Sequence, residues 1–309
     1  MKQRSIGSLA VSEVGVGCNN FGGRLDQVGA EVVVNAAIES GVNFFDTADI
    51  YGATQSEVFL GTALGSRRDD VVIATKFGMP IDDTHFGAKP EYVRSACEDS
   101  LRRLQTDYID LYQLHYPDET TPIADTIGAL QELVAAGKVR EIGCSNFTAD
   151  QLREAKVAAG TGPAFVSVQN QYSLLDRSPE RDGVLATCED LGVSFLPFYP
   201  LANGLLTGKV RPGEPLPEGT RLANMTAERS AHWLSDQFYE QVRTLLAYAE
   251  DTRVPILTYA FSWLLSHPVI ASVIAGASSA DQIRANANSV IELSDNQIEE
   301  LNRLTAGEA

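Results

Sequence analysis

The chain has 309 residues, 44% of them hydrophobic, with 41 Asp and Glu against 24 Lys and Arg for a formal net charge of −17. That balance argues against nucleic acid and against an anionic membrane surface as partners, because both need clustered cations. The length is enough to bury a large core, and at barrel length one domain over residues 1–309 is expected. Cys18, Cys97, Cys144 and Cys188 lie far apart, with no CxxC pair and no zinc spacing. They read as reduced, buried thiols. The start, MKQRSIGSLA, has no apolar signal core, so a cytoplasmic protein is expected.

Taken in chain order, residues 2–12 read as a β-hairpin with Gly7-Ser8 at its turn, placed to cap the bottom of a barrel. Short β-branched runs then alternate with amphipathic windows. The expected strands are 13–18, 43–48, 71–76, 108–115, 139–144, 165–170, 193–198 and 269–276. Helical windows at 30–41, 90–104 and 121–137 lie between them, two of them ending in Gly. Residues 203–233 form a Gly- and Pro-containing insertion after the seventh strand, long enough to be a functional loop. Residues 254–280 carry no Asp, Glu, Lys or Arg. The breaks at Pro255, His267 and Pro268 make this stretch a buried helix followed by a strand, not a membrane span. Residues 294–304 read as a last helix capped by Ser294.

Eight strands alternating with helices imply a parallel sheet, and eight units in ~300 residues fit a closed (β/α)8 TIM barrel. The α/β barrel would carry the N-terminal β-hairpin and extra C-terminal helices. A doubly wound sheet is the other reading, but GVGCNNFGG does not match the G-x-G-x-x-G phosphate loop.

Barrel enzymes place their chemistry at the C-terminal ends of strands. Here Asp46 ends the second strand with Tyr51 just beyond it, Lys76 ends the third and His115 the fourth. Tyrosine, with a pKa of about 10, is a weak acid. A neighbouring ammonium lowers that value, and a carboxylate holds the ammonium in place. A histidine within reach orients a carbonyl. The set has no strong nucleophile and no metal ligands. It suits proton transfer accompanying hydride transfer from a cofactor.

Ordered segments resemble successive signatures of the aldo-keto reductase superfamily: GVNFFDTADIYG (41–52), VVIATKFG (71–78), DYIDLYQLHYPD (107–118), GKVREIGCSNF (137–147), VQNQYSLLDR (168–177), PLANGLLTGK (200–209) and GASSADQIRAN (276–286). The likeness runs through nearly the whole chain. It looks closest to bacterial oxidoreductases that also resemble potassium-channel β subunits. It implies a tetrad of Tyr51 (general acid), Asp46 and Lys76 (tuning), and His115 (placing the substrate oxygen). His115, rather than Glu, implies carbonyl rather than double-bond reduction.

The resemblance also implies the cofactor residues. Ser145, Asn146 and Gln169 would hold the nicotinamide carboxamide, with Phe198 stacked on the ring and Cys18, Asn19 and Asp46 nearby. Tyr199, Pro200, Leu201, Asn203, Gly204 and Lys209 would follow the pyrophosphate, and Gly276, Ser278, Gln282 and Asn286 the adenosine. Many NADPH-specific relatives carry Lys and Arg where Gly276 and Gln282 stand here. Arg284 and Arg221 are the candidates to compensate. NADP(H) is the expected cofactor, with NAD(H) the alternative. Asn20, Phe86 and Tyr116, with Phe21 and Trp233, sit near predicted mouth loops and would line a pocket for a small carbonyl or alcohol. Besides carbonyl reduction, two readings stay open: a cofactor-binding regulatory subunit, and a dehydrogenase acting on a sugar or polyol.

Overall fold

Two short antiparallel strands, β1 (Gln3–Ile6) and β2 (Leu9–Ser12), open the chain in a computed structural model that describes residues 1–306. Gly7 turns between them at φ +54°, a conformation that costs glycine little. The hairpin buries Ile6, Leu9 and Val11 against Phe44, Val72, Leu111 and Leu196. Asn43 fixes it there: its Oδ1 accepts from the Ser12 N–H (2.7 Å) and its Nδ2 donates to the Ala10 carbonyl (3.0 Å). Arg4 ties it to the far side by donating to the carbonyls of Ile270 and Leu265.

Eight strands follow: β3 (Val14–Gly17), β4 (Phe44–Asp46), β5 (Val72–Phe77), β6 (Ile109–Leu114), β7 (Val139–Ser145), β8 (Phe165–Gln171), β9 (Ser194–Phe198) and β10 (Val273–Gly276). They pair in parallel in the order β10-β3-β4-β5-β6-β7-β8-β9. The edges meet where Phe195 of β9 bridges Ile270. The result is a (β/α)8 barrel with its helices packed outside and the hairpin plugging its bottom. Strands buried on both faces read as apolar runs rather than alternations; in β5 all six residues, Lys76 included, are buried.

The last strand is shorter than the expected 269–276, and barrel closure is the reason. Its leading half bonds to β9 (Phe195 N–H to Val269 O, 2.7 Å; Ala271 N–H to Phe195 O, 3.3 Å), leaving only Val273–Gly276 to pair with β3. The first outer helix starts earlier than the window at 30–41. It runs Gln27–Glu39 because the Asp26 carboxylate accepts the Gly29 N–H (2.9 Å) as an N-cap. The helix Pro90–Leu104 matches its window. The uncharged stretch is the helix Ile256–Leu265 followed by β10. Among the described residues no helix is long and apolar enough to cross a membrane. Ser294 caps the final helix Asp295–Thr305.

Plug residues should be costly to trim. Ile6→Ala leaves a cavity beneath the barrel and should destabilise the chain by roughly 2–5 kcal/mol in urea unfolding, far from the mouth.

Candidate active site

The C-terminal ends of the strands surround a cleft of about 850 Å³. Beneath it lies Lys76, fully buried at the end of β5. An ammonium is tolerated there only when paired. Its Nζ donates to Asp46 Oδ2 (2.8 Å) and to the Thr47 carbonyl (2.8 Å). The other oxygen of Asp46 accepts from Gln169 Nε2 of β8 (2.8 Å). One carboxylate thus joins β4, β5 and the opposite wall.

Tyr51 lies above this pair and opens partly onto the cleft. Lys76 Nζ is 5.1 Å from its ring centroid, and the ring stands edge-on to His115 with centroids 5.8 Å apart. The turn that places it is tight. Gly52, Ala53 and Thr54 all have positive φ, which is strained for a β-branched residue such as Thr54. A Cβ on Gly52 would stand 2.2 Å from the Phe21 carbonyl oxygen, so only glycine fits.

The electrostatics differ in one respect from the expectation of an acidified tyrosine. Burial raises the Tyr51 pKa, and the opposing pull of Lys76 does not cancel it. The hydroxyl is therefore protonated at neutral pH. Burial penalises the Lys76 ammonium, but Asp46 and Tyr51 outweigh it and raise the pKa. Burial, with help from the Lys76 charge, lowers His115 to about 3. Its imidazole is neutral, and Nδ1 has no hydrogen-bonding partner.

Most of the residues expected around a cofactor reach the cleft wall. Asn19, Ser145, Asn146, Gln169, Phe198, Tyr199, Pro200, Leu201, Asn203, Gly204, Lys209, Gly276, Ser278, Gln282 and Asn286 all do. Ser145 Oγ donates to the Gln169 carbonyl (2.7 Å), and Asn146 Nδ2 to the His115 carbonyl (3.0 Å). Tyr199, Ala202 and Asn203 adopt positive φ, so strain gathers again in a loop that shapes the cleft.

Five of the expected residues are not on the wall. The Cys18 side chain is fully buried in the apolar cluster that also holds Val14 and Val16, its thiol on the Val16 carbonyl (3.8 Å). Phe86 is 52% exposed and is not among the residues lining the cleft. Lys76 lies under the floor. Phe21 and Trp233 are core residues, whereas Asn20 and Tyr116 do face the cleft. Met79, unforeseen from the sequence, lines it too. A lone Met after a strand carries no periodic signal that would have marked it.

A dinucleotide is anionic, and the wall suits one although the chain is acidic. It carries Arg24, Lys209, Arg221 and Arg229 against the carboxylates Asp46 and Glu218. Asn19 Oδ1 and Asn203 Oδ1 are buried there without partners, as acceptors awaiting a ligand would be. Arg221 lies over the Tyr199 ring, 5.1 Å from its centroid. Arg284 is elsewhere, paired with Glu39 and Asp281. Among the described residues no cluster of His, Cys, Asp or Glu fits a metal ion.

The sequence model of the Aldo/keto reductase family matches residues 13–306. This chain belongs to the aldo/keto reductase family. It is 35% identical over 293 residues to the uncharacterized oxidoreductase YqkF of Bacillus subtilis, covering 93% of this chain and 90% of that one. It is 32% identical over 300 residues to a probable voltage-gated potassium channel subunit beta of Oryza sativa, with the same coverage of 93% and 90%. The solved structure of aldo-keto reductase AKR11C1 from Bacillus halodurans, a holo form, superposes with a TM-score of 0.81 at 34% identity. That match covers 100% of this chain and 97% of the other. The aldo/keto reductase chain is thus an oxidoreductase of a family that works with nicotinamide cofactors on small molecules.

One buried acid near this reductase's site has a distinct pH signature. Asp49 is fully buried, and neither carboxylate oxygen meets a donor in hydrogen-bonding geometry. Burial, then the nearby Glu57, pushes it up to about 8 against the pull of Arg103. The unfolded chain ionises Asp at about 3.9. Between these values the folded state binds one more proton, so stability falls as pH rises, by roughly 1.4 kcal/mol per unit. Asp49→Asn removes that loss. In urea unfolding its advantage over wild type should be small near pH 5 and largest near pH 8.

Proposed function

We propose that this chain reduces aldehydes or ketones to alcohols with NADP(H), and that Tyr51 is the general acid. The observation that carries this reading is the buried Lys76 ammonium, locked to Asp46 and seated under Tyr51 beside a neutral His115. A dihydronicotinamide held at the wall would supply the hydride for the carbonyl carbon. Tyr51 gives its proton to the carbonyl oxygen, and the phenolate left behind is stabilised by the Lys76 charge. Neutral His115 can donate an N–H to the same oxygen and fix its place. Asp46 keeps the ammonium in position and charged.

Ser145, Asn146 and Gln169 would hold the carboxamide with their amide and hydroxyl groups, and Phe198 would stack on the nicotinamide. Lys209, with Arg24, Arg221 and Arg229, supplies charge for phosphates. The adenosine end is neutral: Gly276 has no side chain, and Gln282 Oε1 is taken by the Ser278 N–H and hydroxyl (2.8 and 3.2 Å). NADP(H) carries one more phosphate than NAD(H), on the adenosine ribose, and with Gly276 and Gln282 offering no charge it would have to meet one of these four cations. The site accordingly takes a small carbonyl or alcohol as its substrate.

A second reading, a cofactor-binding regulatory subunit, draws on the likeness to the rice protein named as a channel subunit. It calls for a stable complex with a membrane protein and negligible turnover. A dehydrogenase acting on a sugar or polyol would use the same residues in reverse.

The tests are direct. Tyr51→Phe should lower kcat/KM for carbonyl reduction by about 10²- to 10⁴-fold while NADPH still binds; equal rates would sink the assignment. Fluorescence titration should show NADPH binding more tightly than NADH, and the reverse order would overturn the cofactor choice.

A further inference from the structure

Two loops frame the cleft on the side of His115. One spans residues 78–88 and places Met79 on the wall. The other follows β6 and places Tyr116 there, its ring stacked on His115 with centroids 5.7 Å apart. The first is a closed unit. Its neck is pinched by the Gly87 N–H donating to the Gly78 carbonyl (2.9 Å), with both glycines at positive φ. Inside it the Ile81 N–H donates to the His85 carbonyl (3.0 Å), and Asp82 accepts from the Thr84 hydroxyl (2.8 Å). Ile81 and Phe86 are left exposed on it. It is a flap held at its base, with Met79 the side chain it sends to the cleft, and what holds the base is a side chain from the neighbouring loop.

That side chain is Asp118. Its Oδ2 accepts from the Ala88 N–H (2.8 Å) and from the Thr121 hydroxyl (2.8 Å). Its Oδ1 accepts from the Thr120 N–H (2.9 Å) and hydroxyl (2.7 Å). The fit is close: a Cβ on Gly87 would stand 3.0 Å from Oδ2. The Ala88 carbonyl is held in turn by the Thr126 hydroxyl (2.9 Å). Hydrogen bonds to a charged acceptor are the strong ones. We propose that Asp118 is a positioning residue that sets the recognition of bulky apolar carbonyls by fixing the 78–88 flap, with Met79, against Tyr116. Partial burial opposes ionisation, but the donors of Thr120, Ala88 and Thr121 outweigh it and bring the carboxyl down to about 2. The tie therefore persists through the neutral range.

The inference rests on the carbonyl-reductase reading, and the two fail differently. Wild type, Asp118→Ala and Asp118→Asn are compared with NADPH, using benzaldehyde as the bulky substrate and propanal as the small one. In both variants KM for benzaldehyde should rise on the order of tenfold, with kcat, KM for propanal and NADPH affinity nearly unchanged. Thr121→Val, which keeps the carboxylate and removes one donor, should shift the same KM less. Amide hydrogen exchange in residues 79–88 should quicken in all three variants. An equal change for both aldehydes, a fall in kcat alone, or unaltered exchange overturns the proposal while leaving the reductase reading intact. If Asp118→Ala does not fold, Thr121→Val decides on the same readouts. A wild type that reduces neither aldehyde overturns the reductase reading, and this inference with it.

Discussion

A charged lysine in the wall of an apolar barrel is the constraint around which the site is arranged. Moving an unpaired ammonium out of water is prohibitive, and removing one partner of a buried pair costs far more than a surface pair is worth. Lys76 is therefore obliged to keep Asp46 at 2.8 Å, and Asp46 is obliged to keep Gln169. Register makes this possible. Asp46 lies opposite Ala74 on β5, so Lys76 is two residues further along on the same face. The closed sheet then delivers Gln169 from the far side. Tyr51 inherits its position and its electrostatics from this framework, since the ammonium beneath it has nowhere else to go.

The backbone carries a matching signature. Left-handed residues gather at 52–54 and again at 199–204. These are the two turns that bring Tyr51 over the floor and shape the opposite wall. Such conformations cost of order 1–3 kcal/mol each for non-glycine residues and persist only where the surroundings impose them. A rigid barrel with its bottom plugged by the hairpin is able to impose them. The stiffness of the lower half and the strain of the upper loops are one arrangement.

How much of this was legible in the sequence follows from where each signal resides. Strands buried on both faces announce themselves as apolar runs, so the barrel, its order and the hairpin were readable. Asp46, Lys76 and His115 were readable because polar residues ending such runs are anomalous. The facing of loop side chains was not, because no periodicity governs it. Phe86 is exposed, Cys18 is buried in the core, and Met79 lies on the cleft without a pattern to mark it. The sign of the Tyr51 shift was also hidden. The sequence shows the neighbouring lysine, whereas only the fold shows how deeply the phenol is buried. The last strand is shorter than its apolar run because barrel closure diverts Val269–Ala271 to β9, a demand of topology with no local trace.

Net charge was the least informative number, and the cleft shows why. An excess of acid over the whole surface says nothing about a wall on which four cations face two carboxylates. The same lesson holds within one neighbourhood for three acids of one chemical type. Asp46 is held by an ammonium and an amide. Asp118, half-buried, meets four donors and is held low. Asp49, three residues on from Asp46, has no donor in hydrogen-bonding geometry and is held high by burial. The side chain is identical in each case, and the protonation of the latter two follows from the donors within reach set against the cost of burial. In this barrel the residue type proposes a chemistry, and the hydrogen-bond donors that the fold brings to it decide which chemistry it has.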